Sequence, residues 1–468
     1  MKPTTLFLNG KLLLLTAILF FSLSCKKEHS SLPFVAPVAL PAADVGIYSF
    51  VADWNKVGAT SYNLFVATDS GFTQPVSGYD PISVNALSVT VSGLSKTTNY
   101  FYKVEAVNSK GATTPYSNTI AVSTADTSDD RYVYIGGKDT HLYCFNARTG
   151  VKIWSFDVFG DIESSATMFN GSLYLGSTDQ RLYKIDPLTG ISQWGTMTQG
   201  AILSSPAYYN GSIYTDSYSG NVFRIDTGSG KVIWTSALNG TQSLVSSPTV
   251  VNGLLYVGGE DHNLYAFDAV TGVKKWTAPT GDTINSSPAV SNGIVYIGSS
   301  DWNLYAFDAA TGALKWSAHT NDSILSSPTI VNGIVYVGSF DNSLYAFDAI
   351  TGLKKWSAAT GGRIQSSPAV SNGVVYAGSF DHSLYAFNAV TGAKIWSTTV
   401  GDRIYSSPTV GSDAVYVGCF DDKLYAVDVT TGAIKWSATT GNTIRWGSPL
   451  IYKFNGEVVH PGVSGDQQ

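Results

Sequence analysis

The sequence predicts an all-β protein in two parts, a small β-sandwich followed by an eight-bladed β-propeller. Two observations carry this prediction. A motif of about 40 residues recurs from about residue 131 onward, and each copy reads as four short strands without helical periodicity. Each copy also closes on a tryptophan, which we expect to dock between blades. These residues are Trp154, Trp194, Trp234, Trp276, Trp316, Trp356, Trp396 and Trp436, at spacings of 40, 40, 42, 40, 40, 40 and 40 residues.

The repeat that ends at Trp356 shows how the four strands arise. Apolar and β-branched residues over 328–331 form the first strand, and Asn332-Gly333 favours a tight hairpin turn into a second strand over 334–339. A third strand and a Thr-Gly turn lead into the fourth. One such sheet cannot bury both of its faces, whereas eight sheets packed face to face around an axis can.

The two ends of the repeat region predict how the ring closes. The first repeat starts at Tyr132 and lacks the Ser-Ser-Pro strand that opens the other repeats. A matching strand occurs at the far end, over 447–452, so we expect the two ends to complete one blade. Within the strands, the small residues Gly338 and Ala346 are expected to leave room for a neighbouring blade's ring.

Residues 1–24 have the features of an export signal. Lysines precede an apolar core over 12–23, which is too short to span a bilayer. The segment resembles a bacterial lipoprotein signal, with Ser22 where such signals prefer leucine. The resemblance implies an acylated Cys25 followed by a flexible tether over 25–34; the alternative is an ordinary secretory peptide with an incidental cysteine. The lysines after Cys25 resemble a surface-export tag, which implies the outer membrane or cell surface of a Gram-negative bacterium.

Residues 35–125 alternate apolar and polar side chains in several short segments, which predicts a β-sandwich. The segment resembles a fibronectin type III module, because Trp54 matches its core tryptophan and Leu94 and Tyr100 match its tyrosine corner. Lys96 stands where that family usually has proline. The module is expected to act as a spacer or to bind a partner. A short acidic linker over 126–130 follows it.

The turn before each closing tryptophan carries a recognisable motif. Asp348-Ala349-x-Thr351-Gly352, three residues before Trp356, resembles the tryptophan-docking motif of PQQ-type propeller repeats, and the resemblance covers 131–468. It implies a fold rather than a function. The chain also resembles the eight-bladed lipoproteins of the outer-membrane protein assembly machinery, which bind a partner subunit, although the added sandwich departs from that family.

Charge and ligand spacing argue against two classes of partner. Charged residues make up 13% of the chain, the net charge is −6, and no Lys/Arg stripe is present, so nucleic acid is not an expected partner. The aspartates repeated in the hairpin turns are expected to be turn residues. Histidines 141, 262 and 382 fall in blades one, four and seven, too far apart to share a metal at ~2.0–2.1 Å. No metal site is predicted.

The candidate binding residues stand where the repeat varies. Segments leading into the first strands approach the central channel, where propellers usually bind their ligands. The alternatives are solvated loop residues and, for the tryptophans, edge packing. The predicted binding face consists of Glu163, Arg363, Gln365, Arg403, Tyr405, Arg445, Trp446 and, in a blade hairpin, Trp302.

Three functions fit the sequence. The favoured one is a non-catalytic, membrane-anchored binding or scaffold lipoprotein with a protein partner at the cell envelope. The second is a surface glycan-binding protein. The third is a PQQ-dependent quinoprotein dehydrogenase, which we do not expect, because the chain has no adjacent cysteines, no haem motif and only short, near-identical loops. No cofactor and no catalytic residue are predicted.

Cys144 and Cys419 fall in blades one and eight, which are neighbours across the predicted ring seam. An exported protein can form disulfides. The pair is therefore either a bridge across the seam or two separate buried thiols.

Overall fold

The computed structural model describes residues 33–42, 45, 48–124, 130–238, 246–453 and 457–460. The predicted signal segment, Cys25 and most of the acidic linker lie outside the described residues. All the secondary-structure elements named below, within those ranges, are β-strands. Nowhere in them is there a helix with the length and apolarity needed to cross a membrane.

The N-terminal part is a β-sandwich of two sheets. One sheet pairs β1 with β4, and the other has the order β3-β2-β5-β6. Alternate residues of β1 and β2 point into one shared core, which includes Trp54 and Tyr100. The Ser95 N–H donates to the Tyr100 hydroxyl at 2.8 Å, which ties the start of β5 to the preceding loop. The strands are β1 (Ser49–Asp53), β2 (Ser61–Ala67), β3 (Ile82–Val84), β4 (Ser88–Ser92), β5 (Asn99–Val107) and β6 (Ile120–Ser123).

The rest of the described chain forms successive antiparallel sheets, numbered here as sheets 1 to 8. Sheet 1 begins with β7 (Asp130–Gly136), β8 (His141–Asn146) and β9 (Lys152–Asp157). Sheet 2 contains β10 (Thr167–Phe169), β11 (Ser172–Gly176), β12 (Arg181–Ile185) and β13 (Ser192–Met197). Sheet 3 contains β14 (Ala207–Tyr209), β15 (Ser212–Ser217), β16 (Asn221–Asp226) and β17 (Val232–Ala237). Sheet 4 contains β18 (Thr249–Val251), β19 (Leu254–Gly258), β20 (Asn263–Asp268) and β21 (Lys274–Pro279).

The second half repeats the pattern. Sheet 5 contains β22 (Ala289–Ser291), β23 (Ile294–Gly298), β24 (Asn303–Asp308) and β25 (Leu314–His319). Sheet 6 contains β26 (Thr329–Val331), β27 (Ile334–Gly338), β28 (Ser343–Asp348) and β29 (Lys354–Ala359). Sheet 7 contains β30 (Ala369–Ser371), β31 (Val374–Gly378), β32 (Ser383–Asn388) and β33 (Lys394–Thr399). Sheet 8 contains β34 (Thr409–Val410), β35 (Ala414–Gly418), β36 (Lys423–Asp428) and β37 (Ile434–Thr439). The last strands, β38 (Leu450–Lys453) and β39 (Val458–Val459), return to sheet 1.

The hairpin between the first two strands of a sheet forms as its sequence predicts. In sheet 6, Val331 pairs with Ile334 across the turn. Asn332 and Gly333 have φ values of 51° and 73°. Two successive positive φ angles match the right-handed twist of the flanking strands.

The docking tryptophans join each sheet to the next. The Trp316 indole N–H donates to the Ala349 carbonyl at 3.1 Å, and the Tyr296 hydroxyl donates to the same oxygen at 3.0 Å. The Trp316 ring lies on Gly352, where an added Cβ would come within 2.7 Å of ring atoms. Equivalent indole hydrogen bonds are made by Trp154, Trp194, Trp234, Trp276, Trp356, Trp396 and Trp436.

The predicted closing strand is confirmed. Strand β38 pairs with β7, with Leu450 opposite Tyr134 and Ile451 opposite Val133. The Trp436 indole docks onto the Ala147 carbonyl of sheet 1 at 3.0 Å, which joins sheet 8 to sheet 1. Strand β39 was not predicted. It pairs with the free edge of β38 and makes sheet 1 five-stranded.

The expected role of Gly338 was wrong, whereas that of Ala346 is confirmed. A Cβ on Gly338 would lie 2.2 Å from Cγ2 of Ile364, so this glycine makes room for the connection to the next sheet and not for an aromatic ring. Ala346 belongs to the same core cluster as Tyr385 and Phe387 of sheet 7. Gly352, in the turn, is the residue that accommodates a neighbouring tryptophan ring.

The repeated hairpin aspartates link neighbouring sheets. Asp301 accepts hydrogen bonds from the Tyr305 hydroxyl and from the Gly281 N–H, which belongs to the connection leaving sheet 4, both at 2.6 Å. Burial, followed by the bond to Asp301, raises the pKa of Tyr305 to about 12. The aspartate is therefore a link between sheets as well as a turn residue.

Cys144 and Cys419 are free thiols, and both are buried. Burial raises the pKa of Cys419 to about 12 and raises the pKa of Cys144 as well. Of the two alternatives left by the sequence, the structure has two separate buried thiols.

Candidate binding face

The inner strands of the sheets surround a central cavity of about 1530 Å³. The Ser-Ser-Pro segments that open the sheets line it, because they connect the outer strand of one sheet to the inner strand of the next. Part of the wall is polar, with serines 165, 205, 247, 287, 327, 367, 407 and 448.

These serines form a closed circle of hydrogen bonds. The backbone N–H of each serine donates to the hydroxyl of the equivalent serine in the next sheet, as from Ser287 to Ser327 at 2.9 Å and from Ser327 to Ser367 at 3.1 Å. The last bond runs from Ser448 to Ser165 and closes the circle. The remaining bonds run from Ser165, Ser205, Ser247, Ser367 and Ser407 to their successors. We call this set the serine ring.

The structure brings most of the predicted binding face together around this cavity. The lining includes Glu163, Arg363, Gln365, Tyr405, Arg445 and Trp446. Arg403 is exposed, and its carbonyl accepts the Phe420 N–H at 3.1 Å. Trp302 is 45% exposed in the hairpin between β23 and β24, where it packs against His319. Neither Arg403 nor Trp302 lines the cavity.

A row of aromatic rings runs along one side of the mouth. Phe340 lies 6.0 Å from Phe380, which lies 4.2 Å from Tyr405, which in turn lies 5.2 Å from Phe420, measured between ring centroids. We call these four residues the aromatic row; they belong to sheets 6, 7 and 8. The sequence analysis did not select the three phenylalanines as binding residues. Their hairpin position does vary between repeats, since the first repeat has Lys138 there.

Two arginines beside the aromatic row lack acidic partners. Arg363 lies over the Phe340 ring at 5.0 Å, and Arg445 lies over the Trp446 ring at 4.1 Å. Among the described residues, no carboxylate forms an ion pair with Arg363, Arg403 or Arg445. The Nε of Arg445 and the Nε1 of Trp446 are buried without an acceptor there. An unpaired buried donor costs about 1–3 kcal/mol, so these two N–H groups are a local cost to the fold at the seam.

The neighbouring side of the mouth, at sheets 1 and 2, carries its own ion pairs. Lys138 lies 3.0 Å from Glu163 and 3.6 Å from Asp161. Glu163 is only 6% exposed, so its carboxylate interacts with Lys138 and hardly with solvent. One lysine facing two carboxylates leaves the mouth at sheets 1 and 2 with a net negative charge, and the arginines without acidic partners in the described ranges lie in the connections that run from sheet 6 round to sheet 1.

Strand β39 and His460 form part of the cavity wall. Val458 and Val459 pair with Tyr452 and Ile451 of β38, and Val458 packs with the core between sheets 1 and 2. Burial lowers the pKa of His460 to about 4, so its imidazole is neutral at pH 7. An extended segment of the chain itself thus lies inside the ring.

One buried carboxyl group stands apart from the binding face. Asp216 in β15 replaces the glycine found at this position in the other repeats, as in Gly298. Burial raises its pKa to about 7, opposed by the nearby Ser204 hydroxyl. Within the described ranges, neither Asp216 nor Ser204 makes a side-chain hydrogen bond of normal geometry. In sheet 5 the equivalent Ser286 hydroxyl accepts the Gly298 N–H at 2.8 Å.

The residues of the cavity do not fit PQQ and its metal ion. Within the ranges that the structure describes, no three His, Cys, Asp or Glu side chains converge as a metal site. The acids nearest one another on the wall, Asp161 and Glu163, both bind Lys138. Cys144 and Cys419 are not part of the wall. No catalytic step is derived through such a group.

Together, the stacked sheets, the docked tryptophans and the lined central cavity define a β-propeller built from PQQ-like repeats. The chain belongs to the family described as outer membrane protein assembly factor BamB, whose profile matches residues 104–205, 193–284, 278–365 and 356–464. No curated protein matches the sequence.

Solved structures with a similar fold differ widely in what they are. The computationally designed Ika8 protein is 17% identical, with a TM-score of 0.56 over 64% of this chain and 96% of its own. BamB from Moraxella catarrhalis is 20% identical, with a TM-score of 0.53 over 65% and 90%. A europium-containing methanol dehydrogenase is 15% identical, with a TM-score of 0.55 over 66% and 84%. At these identities the likeness extends to the fold alone.

Proposed function

We propose that this protein is a non-catalytic, membrane-anchored binding protein of the cell envelope, whose eight-bladed propeller binds a partner protein at the mouth of its central cavity. In this proposal Cys25 carries the lipid anchor at the outer membrane or cell surface of a Gram-negative bacterium. Residues 1–24 are its signal and 25–34 its tether. The sandwich over 35–125, as a fibronectin type III-like spacer, and the linker over 126–130 hold the propeller of 131–468 away from the membrane.

The observation that carries the proposal is the composition of the mouth. The aromatic row presents partly exposed rings, and Arg363 and Arg445 beside it have no acidic partners among the described residues. Aromatic side chains and arginine are the residues enriched in the energetic centres of protein interfaces. Next to them, sheets 1 and 2 carry Lys138 paired with Asp161 and Glu163. The mouth therefore differs from sheet to sheet, as a docking surface for a specific partner requires.

Membership of the BamB family supports a protein partner, because the profile is named for an assembly factor. A second candidate, a surface glycan-binding protein, is favoured by the 45% exposure of Trp302, whose ring could stack on a sugar. A quinoprotein dehydrogenase is not proposed, because the cavity residues do not suit PQQ.

The experiment is site-specific photocrosslinking of the full-length, lipidated protein in its own membranes. One crosslinker replaces Arg403, at the rim beside Phe420, and a control crosslinker replaces Ile350, which is 78% exposed on an outer turn of sheet 6. A discrete protein adduct at position 403 and not at 350 supports the proposal. No adduct specific to position 403, or an adduct removed by glycan digestion, contradicts a protein partner.

A further inference from the structure

The mouth carries positive charge that the fold itself does not use. Arg363 and Arg403 are exposed, and Arg445 is half-buried. In the described part of the chain none of the three has a carboxylate at ion-pair distance, whereas Lys138 on the adjoining sheet 1 has two. Arginine forms planar, paired hydrogen bonds with carboxylates, so this side of the mouth suits an acidic ligand.

At the seam, the charged side chain of Arg445 is packed against Trp446. The Nε of Arg445 and the Nε1 of Trp446 have no acceptor in the described residues. Their side chains stack at 4.1 Å, so both N–H groups belong to one compact unit. Arg445 itself is half-buried and lines the cavity, so its guanidinium can donate to a carboxylate or a peptide carbonyl placed there.

The inside of the ring already holds an extended polypeptide. Strand β39 pairs with β38 through Val459 opposite Ile451 and Val458 opposite Tyr452. Main-chain pairing of this kind is how sheet edges bind extended peptides. The cavity thus already accommodates one short extended segment beside sheet 1.

The aromatic row has a spacing that suits such a strand. Alternate side chains of an extended chain lie roughly 6.4–6.8 Å apart. The Phe340 and Phe380 centroids are 6.0 Å apart, and Arg363 lies over the Phe340 ring at 5.0 Å. Side chains on one face of an extended segment can therefore meet successive rings while carboxylates on the other face meet the arginines.

We infer that the mouth binds an extended segment of the partner protein in which acidic residues alternate with aromatic or apolar ones. This inference rests on the proposed function and specifies the chemistry of its partner. The free arginines contribute charge, the aromatic row contributes contact area, and Arg445 donates hydrogen bonds to a carboxylate or carbonyl at the seam.

The test uses the full chain and a short fluorescein-labelled peptide of alternating Glu and Tyr, with a second peptide carrying Gln in place of Glu. Fluorescence anisotropy is expected to show saturable binding of the acidic peptide, at least about tenfold weaker binding of the Gln peptide, and weakening as salt rises from about 50 to about 300 mM. Arg363→Gln and Arg445→Gln should each weaken binding about tenfold. Arg181→Gln, a cation of sheet 2 bonded to the Gly195 carbonyl, is the matched control and should have no effect.

Equal binding of both peptides, no binding of either, or binding unaffected by Arg363→Gln and Arg445→Gln would overturn the inference. So would an oligogalacturonate that binds with the same arginine dependence when the peptide does not. Circular-dichroism melts of each variant establish that a loss of binding is not a loss of folding. If the peptide fails while a protein adduct still forms at position 403, the proposed function stands and only this description of its partner is lost.

Discussion

The backbone N–H of Ser448 donates to the hydroxyl of Ser165 at 2.9 Å, although 283 residues separate them. This bond is the last link of the serine ring and lies where the two ends of the propeller meet. The chain is continuous around the rest of the ring, whereas only noncovalent contacts hold this position.

Ser165→Ala leaves the buried Ser448 N–H without its acceptor and should lower the free energy of unfolding by about 1–3 kcal/mol. Ser327→Ala removes the equivalent bond from Ser287 within the continuous part of the chain. We expect the seam variant to lose more, as measured by urea unfolding, because opening there needs no strain elsewhere. Equal losses would mean that the seam is no weaker than any other junction.

Deleting residues 447–468 removes β38, the pairing with β7 and the Ser448 bonds. The thermal midpoint of the propeller should fall by many degrees, because sheet 1 loses its inner strand. Deleting residues 26–125 should leave that midpoint unchanged. Calorimetry of the two deletions checks this, and similar effects from both would contradict the assignment of the closing strand.

Gly352→Ala places a methyl group within 2.7 Å of the Trp316 ring at a φ of +70°. Gly333→Ala imposes similar backbone strain at a φ of +73° but meets open space. The backbone strain alone costs roughly 1–2 kcal/mol of stability, which Gly333→Ala measures. Any further loss of stability in Gly352→Ala then measures the contact with the docked tryptophan. Chemical denaturation should show a clearly larger loss for Gly352→Ala; parity would mean that the tryptophan can move aside freely.

Asp216 predicts a pH dependence with a definite sign. Its pKa is raised from 3.8 to about 7 in the folded protein. As pH rises, the carboxyl group therefore ionises at a lower pH in the unfolded chain than in the folded protein. Stability should therefore fall as pH rises between about 4 and 7, by roughly 2–4 kcal/mol for this one group. Asp216→Gly, which restores the residue of the other repeats, and Asp216→Asn should each abolish that component when unfolding is measured across this pH range. A difference between wild type and both variants that does not change with pH would contradict it.

Cys25→Ala should move the protein from the membrane fraction to the soluble fraction, because acyl chains anchor a protein through about 0.8 kcal/mol per buried CH₂. Ultracentrifugation of cell extracts checks the distribution, with Cys144→Ala as a matched control. Unchanged sedimentation of Cys25→Ala with membranes would remove the lipid anchor from the proposed function.

The periodic features of this fold could be predicted from sequence, and the features between repeats could not. The hairpin at Asn332-Gly333 and the closing strand at Leu450 follow from local turn chemistry and from a missing copy of the repeat. The Ser-Ser-Pro run is visible in the sequence, but the bond from Ser327 to Ser367 depends on how closely neighbouring sheets approach one another.

The binding face shows the same division. Arg445 and Trp446 were found because they interrupt the repeat. Phe340 and Phe380 were missed because a phenylalanine after a strand reads as ordinary packing, and only the ring shows that the two meet. Strand β39 is two residues long, too short for any periodicity to reveal it.

Strand β39 has one more consequence. A ring of near-identical repeats has approximate rotational symmetry about its axis. A partner could therefore dock on such a ring in several equivalent orientations. Two features break this symmetry: strand β39 is added to sheet 1, and the aromatic row lies on sheets 6 to 8. In the proposed function, the partner then binds in one orientation about the propeller axis, and this fixes the orientation of whatever the partner carries.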